Sequence, residues 1–151
     1  VASAIMPHRD IPALYERHAA AYDAARGRGR MERAWLDEFL RFVPNGARVL
    51  DLGCGMGEPI ARYIIESGRS VHGVDTSPSL IARCIARFPQ EQWSVGDMRS
   101  FTSDERFAGI IAWDSFFHLT ADDQRTLFAR FAALAAPGAP LLFTSGPAHG
   151  E

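Results

Sequence analysis

The sequence predicts an α/β fold in which a doubly wound sheet of five parallel strands carries helices on both faces, and three observations carry that expectation. Short apolar runs alternate with stretches whose apolar residues recur every three or four positions. The run from Phe107 to Trp113 is apolar throughout, as a strand covered on both faces should be. Three glycines stand where the first apolar run hands over to the following helix, and sheets of this kind bind ligands just outside the carboxyl ends of their strands.

The elements follow in order. Between Pro12 and Ala25, Leu14, Tyr15, His18, Ala19, Tyr22 and Ala25 recur at helical spacing until Gly27-Arg28-Gly29 breaks the pattern. A second helix is expected from Met31 to Phe42, closed by Pro44-Asn45-Gly46. Arg48 to Leu52 reads as the first strand, and a helix from Pro59 to Glu66 ends at Gly68. Ser70 to Val74 reads as the second strand; Ser77 caps and Pro78 opens a helix that Pro89 ends. Trp93 to Val95 is a weaker third strand and Phe107 to Trp113 the fourth. Thr120-Ala121-Asp122-Asp123 opens a helix running to Ala136, and Pro140 to Thr144 is the fifth strand. Alternation of strands with crossover helices implies parallel pairing. Residues 1–44 are expected to be N-terminal helices covering the ligand site, and residues 45–151 the α/β core of a single domain.

A chain of 151 residues fits one domain. All sixteen basic side chains are arginines, and against eighteen acids they leave a net charge of -2, so no positive field favours nucleic acid as a partner. Two cysteines cannot staple a framework, no leader pattern opens the sequence, and no apolar run approaches the roughly 18–20 residues that span a bilayer. A reducing cytoplasm, with no membrane attachment, is the expected setting.

The chemistry concentrates at the strand ends. In Asp51-Leu52-Gly53-Cys54-Gly55-Met56-Gly57 the glycines let backbone approach a ligand closely, but the spacing is not the Gly-x-Gly-x-x-Gly of dinucleotide sites. An acid leading the loop also repels a pyrophosphate and welcomes a cation, so Asp51 counts against a nicotinamide dinucleotide. Asp75 ends the second strand, where a carboxylate can accept both hydroxyl protons of a ribose diol. Asp97 and Met98 follow the third strand, where an acid can accept from an adenine amino group while the methionine packs on the ring. Together these residues describe adenosine without phosphate. His72, Cys54 and Cys84 read as packing residues, and no set of His, Cys and carboxylates has metal-ligand spacing.

The segments Val49 to Gly57, Gly73-Val74-Asp75-Thr76-Ser77 and Val95-Gly96-Asp97-Met98 resemble the cofactor motifs of class I S-adenosylmethionine-dependent methyltransferases, over about residues 45 to 146. The resemblance implies a Rossmann-like sheet, S-adenosylmethionine (SAM) as cofactor, and methyl transfer to a small-molecule acceptor. It places Gly53, Gly55 and Gly57 under the methionyl and ribose parts, Asp75 with Thr76 at the ribose, and Asp97 with Met98 around the adenine. The family's fourth motif matches Ile111-Ala112-Trp113-Asp114-Ser115, which puts Trp113 and Asp114 near the methionyl end. The Pro-Pro motif of amino-directed nucleic-acid enzymes and the acid-rich magnesium pattern are both absent there.

Tyr22 lies on, and Arg26 just after, the first helix, which in many such proteins closes over the cofactor, where Arg26 could meet the methionyl carboxylate. His118, with an ordinary pKa of about 6.5, lies on the acceptor side and is the candidate general base. Two rival readings stay open: a nicotinamide-dependent oxidoreductase and a non-catalytic adenosyl-binding module. Members of the family continue past the fifth strand with two further strands, and none follows Thr144 here. The sequence is thus a piece of a longer protein or a reduced member. The outer edge of its fifth strand is expected to be open, inviting a homodimer.

Overall fold

The computed structural model describes residues 2–5, 28–113 and 120–145. Five strands form the expected parallel sheet: β2 (Arg48–Leu52), β3 (Ser70–Asp75), β4 (Gln92–Val95), β5 (Gly109–Ala112) and β6 (Leu141–Ser145). A sixth, β1 (Ala2–Ile5), lies at the edge, so the spatial order is β1-β6-β5-β2-β3-β4. The described helices are α1 (Arg28–Leu40), α2 (Ile60–Glu66), α3 (Pro78–Arg87) and α4 (Ala121–Leu134). None of them is long and apolar enough to cross a membrane.

Strand periodicity decides which face each residue serves. Val49 of β2 and Ile111 of β5 pack with Trp35, Leu36 and Phe39 of α1 and with Ala61 and Ile64 of α2. Leu50 and Leu52 face the other way, onto Leu127, Phe131 and Leu134 of α4. Burying each such side chain contributes about 1.5–3 kcal/mol, and the two layers together fix the sheet between its helices. A Cβ on Gly109 would come within 2.5 Å of Phe39 Cζ, so α1 rests directly on the β5 backbone. The carbonyls at the end of α1 are satisfied by Arg69, whose guanidinium donates to the oxygens of Leu40 (3.0 Å) and Val43 (2.7 Å).

Three expectations change. The open outer edge is not open: β1 pairs antiparallel with β6, Ala2 opposite Ser145 and Ile5 opposite Leu142, which removes the structural basis for a dimer through that edge. Residues 1–44 were expected to be N-terminal helices with a break at Gly27-Arg28-Gly29, yet Ala2–Ile5 is a strand, because pairing with β6 rather than local pattern fixes its conformation, and α1 already begins at Arg28 rather than Met31. The fourth strand is shorter than Phe107 to Trp113: Phe107 bridges Ala135 instead, and Trp113 turns away after Ala112. The expected helix from Pro12 to Ala25 lies outside the described residues.

Candidate functional site

The site forms at the carboxyl end of β2, in the middle of the sheet. The chain leaving β2 is tied to the neighbouring strand by Gly53 N and Cys54 N, which donate to the Val74 carbonyl oxygen at 2.7 and 3.0 Å. Gly55 then adopts φ +58 with nothing within 4 Å of its missing Cβ, leaving the loop surface open to a ligand. Gly57, at φ +88, closes the loop against Cys84 and Phe88. The Cys54 and Cys84 thiols are buried beneath it, Cys84 Sγ donating to the Gly55 carbonyl oxygen at 3.2 Å, and burial pushes both thiols above their usual range. They support the loop and are poor nucleophiles.

Asp51 is the one buried charged residue of β2. Period two turns its side chain toward α1, where it is 2% exposed, and Oδ2 has no hydrogen-bond partner among the described residues. Its carboxyl is pushed up to about 7, first by burial and second by the charge of Asp75. Asp51 opens into a cleft of about 170 Å³ lined also by Glu32, Gly53, Gly55, Glu58 and Trp113. Trp113 Nε1 donates to Glu32 Oε2 at 3.2 Å, tying the start of α1 to the end of β5. Glu58 is engaged by Arg62 and Arg87, and among the described residues no basic side chain lines the cleft. Its volume is below the roughly 300–1,000 Å³ that encloses a whole small ligand, so it suits one positively charged end of a larger molecule. A bigger cleft of about 230 Å³ between α4 and β6 is lined by Phe128, Phe131 and Leu141 and offers no charged group.

Asp75 lies on the other side of β2. Its Oδ2 accepts from Gly55 N at 2.9 Å and its Oδ1 from Ser77 N at 3.0 Å, so one side chain spans the glycine loop and the turn into α3. Each oxygen keeps lone-pair capacity for a further donor. Thr76 is exposed at that turn. Asp97 follows β4, but Arg99 occupies both its oxygens, Nη2 at 2.7 Å and backbone N at 2.8 Å, and this pairing holds the carboxyl down at about 2. Met98 packs against the core layer that includes Leu50 and Val74. Asp51, Gly53, Gly55 and Trp113 are thus brought together, with Asp75 joined to them through Gly55. Tyr22, Arg26, Asp114 and His118 lie outside the described residues. No cluster of three or more metal-ligating side chains exists among the described ones.

Sequence reasoning missed Glu32. The signal was present: Glu32, Trp35, Leu36, Phe39 and Leu40 share one face of α1, and the acid is the polar member of that otherwise buried stripe.

A family model described as a methyltransferase domain matches residues 49–138. The chain belongs to that family. Among curated proteins it is 31% identical over 128 residues to the dTDP-4-amino-2,3,4,6-tetradeoxy-D-glucose N,N-dimethyltransferase of Saccharopolyspora spinosa, covering 80% of this chain and 51% of that protein. It therefore spans about half the length of that relative. Among solved structures it is similar to SAM-bound CalS10, an amino pentose methyltransferase from Micromonospora echinaspora, with TM-score 0.67, 28% identity, and coverage of 87% of this chain and 56% of that one. It is also similar to the glycopeptide N-methyltransferase MtfA complexed with sinefungin, with TM-score 0.62, 27% identity, and coverage of 72% and 51%. The residues of the methyltransferase domain fit a cationic adenosyl cofactor on their own chemistry, since Asp51 keeps a buried acceptor without a donor and the Gly55 surface is clear.

Proposed function

We propose that this methyltransferase domain binds SAM and directs methyl transfer to an amine on a small molecule by in-line displacement. The observation that carries the reading is Asp51: a buried carboxylate whose acceptor has no partner among the described residues, in a cleft beside a glycine loop, is arranged for a ligand that brings its own positive charge. The amine acceptor is supported by the relatives, whose names specify amino sugars and N-methylation. The net charge of -2 weighs against nucleic acid, and the reduced thiols of Cys54 and Cys84 suit the cytoplasm.

The bound cofactor supplies an electrophilic methyl carbon. Asp51 holds the α-ammonium, and Asp75, with Thr76 beside it, takes the ribose diol while fixing the loop through Gly55 N. Gly53, Gly55 and Gly57 leave room for the cofactor, and Asp97 with Met98 frames the adenine. Trp113 and Asp114 border the methionyl end, Tyr22 and Arg26 close over it, and His118 receives the acceptor's proton. Alignment of the nucleophile supplies about 7–11 kcal/mol of the barrier, more than a single base contributes.

Calorimetric titration tests the reading: SAM and S-adenosylhomocysteine should bind, and NAD and NADP should not. Tighter binding of a dinucleotide would restore the oxidoreductase reading.

A further inference from the structure

We infer that a second cleft, at the end of the sheet opposite the glycine loop, is a binding site for a small phosphate monoester held by Arg106 and Arg130. The cleft measures about 230 Å³ and lies between the chain leading into β5 and the last turns of α4, with Phe101, Thr102, Ser103, Arg106, Arg130 and Leu134 in its wall. It is separate from the proposed cofactor site. Phe107 N donates to Leu134 O at 2.8 Å just before β5 begins, so this wall stands at the amino end of a strand whose carboxyl end leads to Trp113.

Charge sets this cleft apart from its surroundings. The neighbouring acids have partners of their own: Glu105 accepts from Arg48 at 3.1 and 3.2 Å, Asp122 pairs with Arg125, and Asp123 lies 3.6 Å from Arg99. Among the described residues, no carboxylate lies within ion-pair distance of Arg106 or of the half-buried Arg130. Two guanidinium groups therefore share one cleft without an internal counter-charge. The end of α4 would ordinarily disfavour an anion, but its Phe131 and Leu134 carbonyl oxygens are spent on Ala135 N at 2.9 Å and Phe107 N at 2.8 Å.

The rest of the wall narrows the ligand class. Ser103 Oγ already accepts from Glu105 N at 3.0 Å, which leaves its hydroxyl hydrogen to donate, and the Thr102 hydroxyl is a second donor in the same wall. An acceptor-rich ligand is favoured. Guanidinium forks match paired phosphate oxygens, and a phosphate monoester carries a charge of about −1.5 to −2 at pH 7 against the two arginines. Phe101 and Leu134 add an apolar surface for the organic part of the ester. The volume falls below the roughly 300–1,000 Å³ that encloses a whole small ligand, so it suits a phosphate with one small apolar group.

Phenyl phosphate, benzoate and phenol are the probes, titrated by calorimetry into the whole chain at pH 7.5 and low salt, with the folding of every variant checked by thermal unfolding. Wild type should bind phenyl phosphate at least about tenfold more tightly than benzoate or phenol. Arg106→Gln and Arg130→Gln should each weaken phenyl phosphate about tenfold, whereas Arg125→Gln, which removes the same charge from α4 outside the cleft, should change it less than about twofold. Ala133→Glu, at an exposed position in the wall, should abolish binding by setting a carboxylate beside the two arginines. No binding of phenyl phosphate by wild type, or an equal loss in Arg125→Gln, overturns the site. Benzoate binding as tightly as phenyl phosphate overturns the phosphate assignment, and phenol doing so overturns the role of the arginines.

Discussion

The two sides of the glycine loop use the same side-chain chemistry to opposite ends. On the β3 and β4 side, Asp75 and Asp97 already have partners: two backbone N–H groups for the first, and Arg99 for the second. On the β2 and β5 side, among the described residues, Asp51 has a buried oxygen without a partner and Glu32 accepts from the indole of Trp113. Carboxylates that are satisfied within the fold act as scaffold and as acceptors with spare lone pairs. A carboxylate buried without a cation raises the free energy of the empty fold, and a cationic ligand relieves it. Acids at strand ends thus divide into those that shape the site and those that await charge, and the difference lies in their partners rather than their residue type.

The largest expected effect breaks the charge-awaiting side. Asp51→Asn removes the buried anion while keeping its shape, and losing one member of a buried charge pair costs about 2–5 kcal/mol, so SAM affinity at pH 8 should fall roughly 30-fold or more. Stability should move the other way. Because the Asp51 carboxyl is raised from 3.8 to about 7, the folded chain retains a proton that the unfolded chain releases, and raising pH from about 4 to 7 lowers stability by up to about 4 kcal/mol. Denaturant unfolding should find Asp51→Asn more stable than wild type at pH 8, with the difference vanishing near pH 4. Wild-type affinity for SAM should decline below pH 7 by at most about tenfold per unit, and the variant should show no such decline.

A smaller effect tests the side already satisfied. Asp75→Ala removes the link between Gly55 and Ser77 and, on the proposed reading, a group for the ribose diol, and charged hydrogen bonds worth about 1.5–3 kcal/mol predict a 10–100-fold loss of SAM affinity by calorimetry. It also removes the second cause of the raised Asp51 carboxyl, so the pH midpoint for binding should shift below 7. An unchanged midpoint would mean that the two sides titrate independently.

The parallel sheet was legible because its strands are short apolar runs bounded by glycine, proline and capping residues, signals that survive without knowledge of neighbours. Ser77 accepts from Leu80 N and Thr120 from Asp123 N, as their positions in the sequence require. The antiparallel β1 was not legible: four residues carry no periodicity, and their strand exists only because β6 lies beside them. Glu32 was hidden in a different way. Its helix was read for apolar spacing, and a single acid on that stripe gains meaning only when Trp113, 81 residues away in sequence, arrives opposite it. Asp51 and Asp75 stood out at the loop in the sequence, but which acid would be left unpaired among the described residues was decided by the fold.

The smallest effect concerns Asp97, and it sharpens the distinction most finely. Its carboxylate is matched by Arg99 through side chain and backbone, and Arg99 also lies 3.6 Å from Asp123. Such exposed pairs contribute about 0–1 kcal/mol, so Asp97→Asn should change stability little, and the change should shrink in high salt. The lowered carboxyl, at about 2, contributes stability that is present above pH 4 and is lost only as pH falls toward 2, well apart from the window in which Asp51 acts. For binding, an adenine amino group meeting Asp97 competes with a guanidinium already seated on both oxygens, and SAM affinity should therefore fall by less than about threefold in Asp97→Asn. Arg99→Ala frees those oxygens and should raise affinity by a similar factor. If Asp97→Asn instead cost tenfold or more, Arg99 would have to swing away when the cofactor arrives, and the acid at the end of β4 would join Asp51 as a carboxylate that completes its pairing only with ligand.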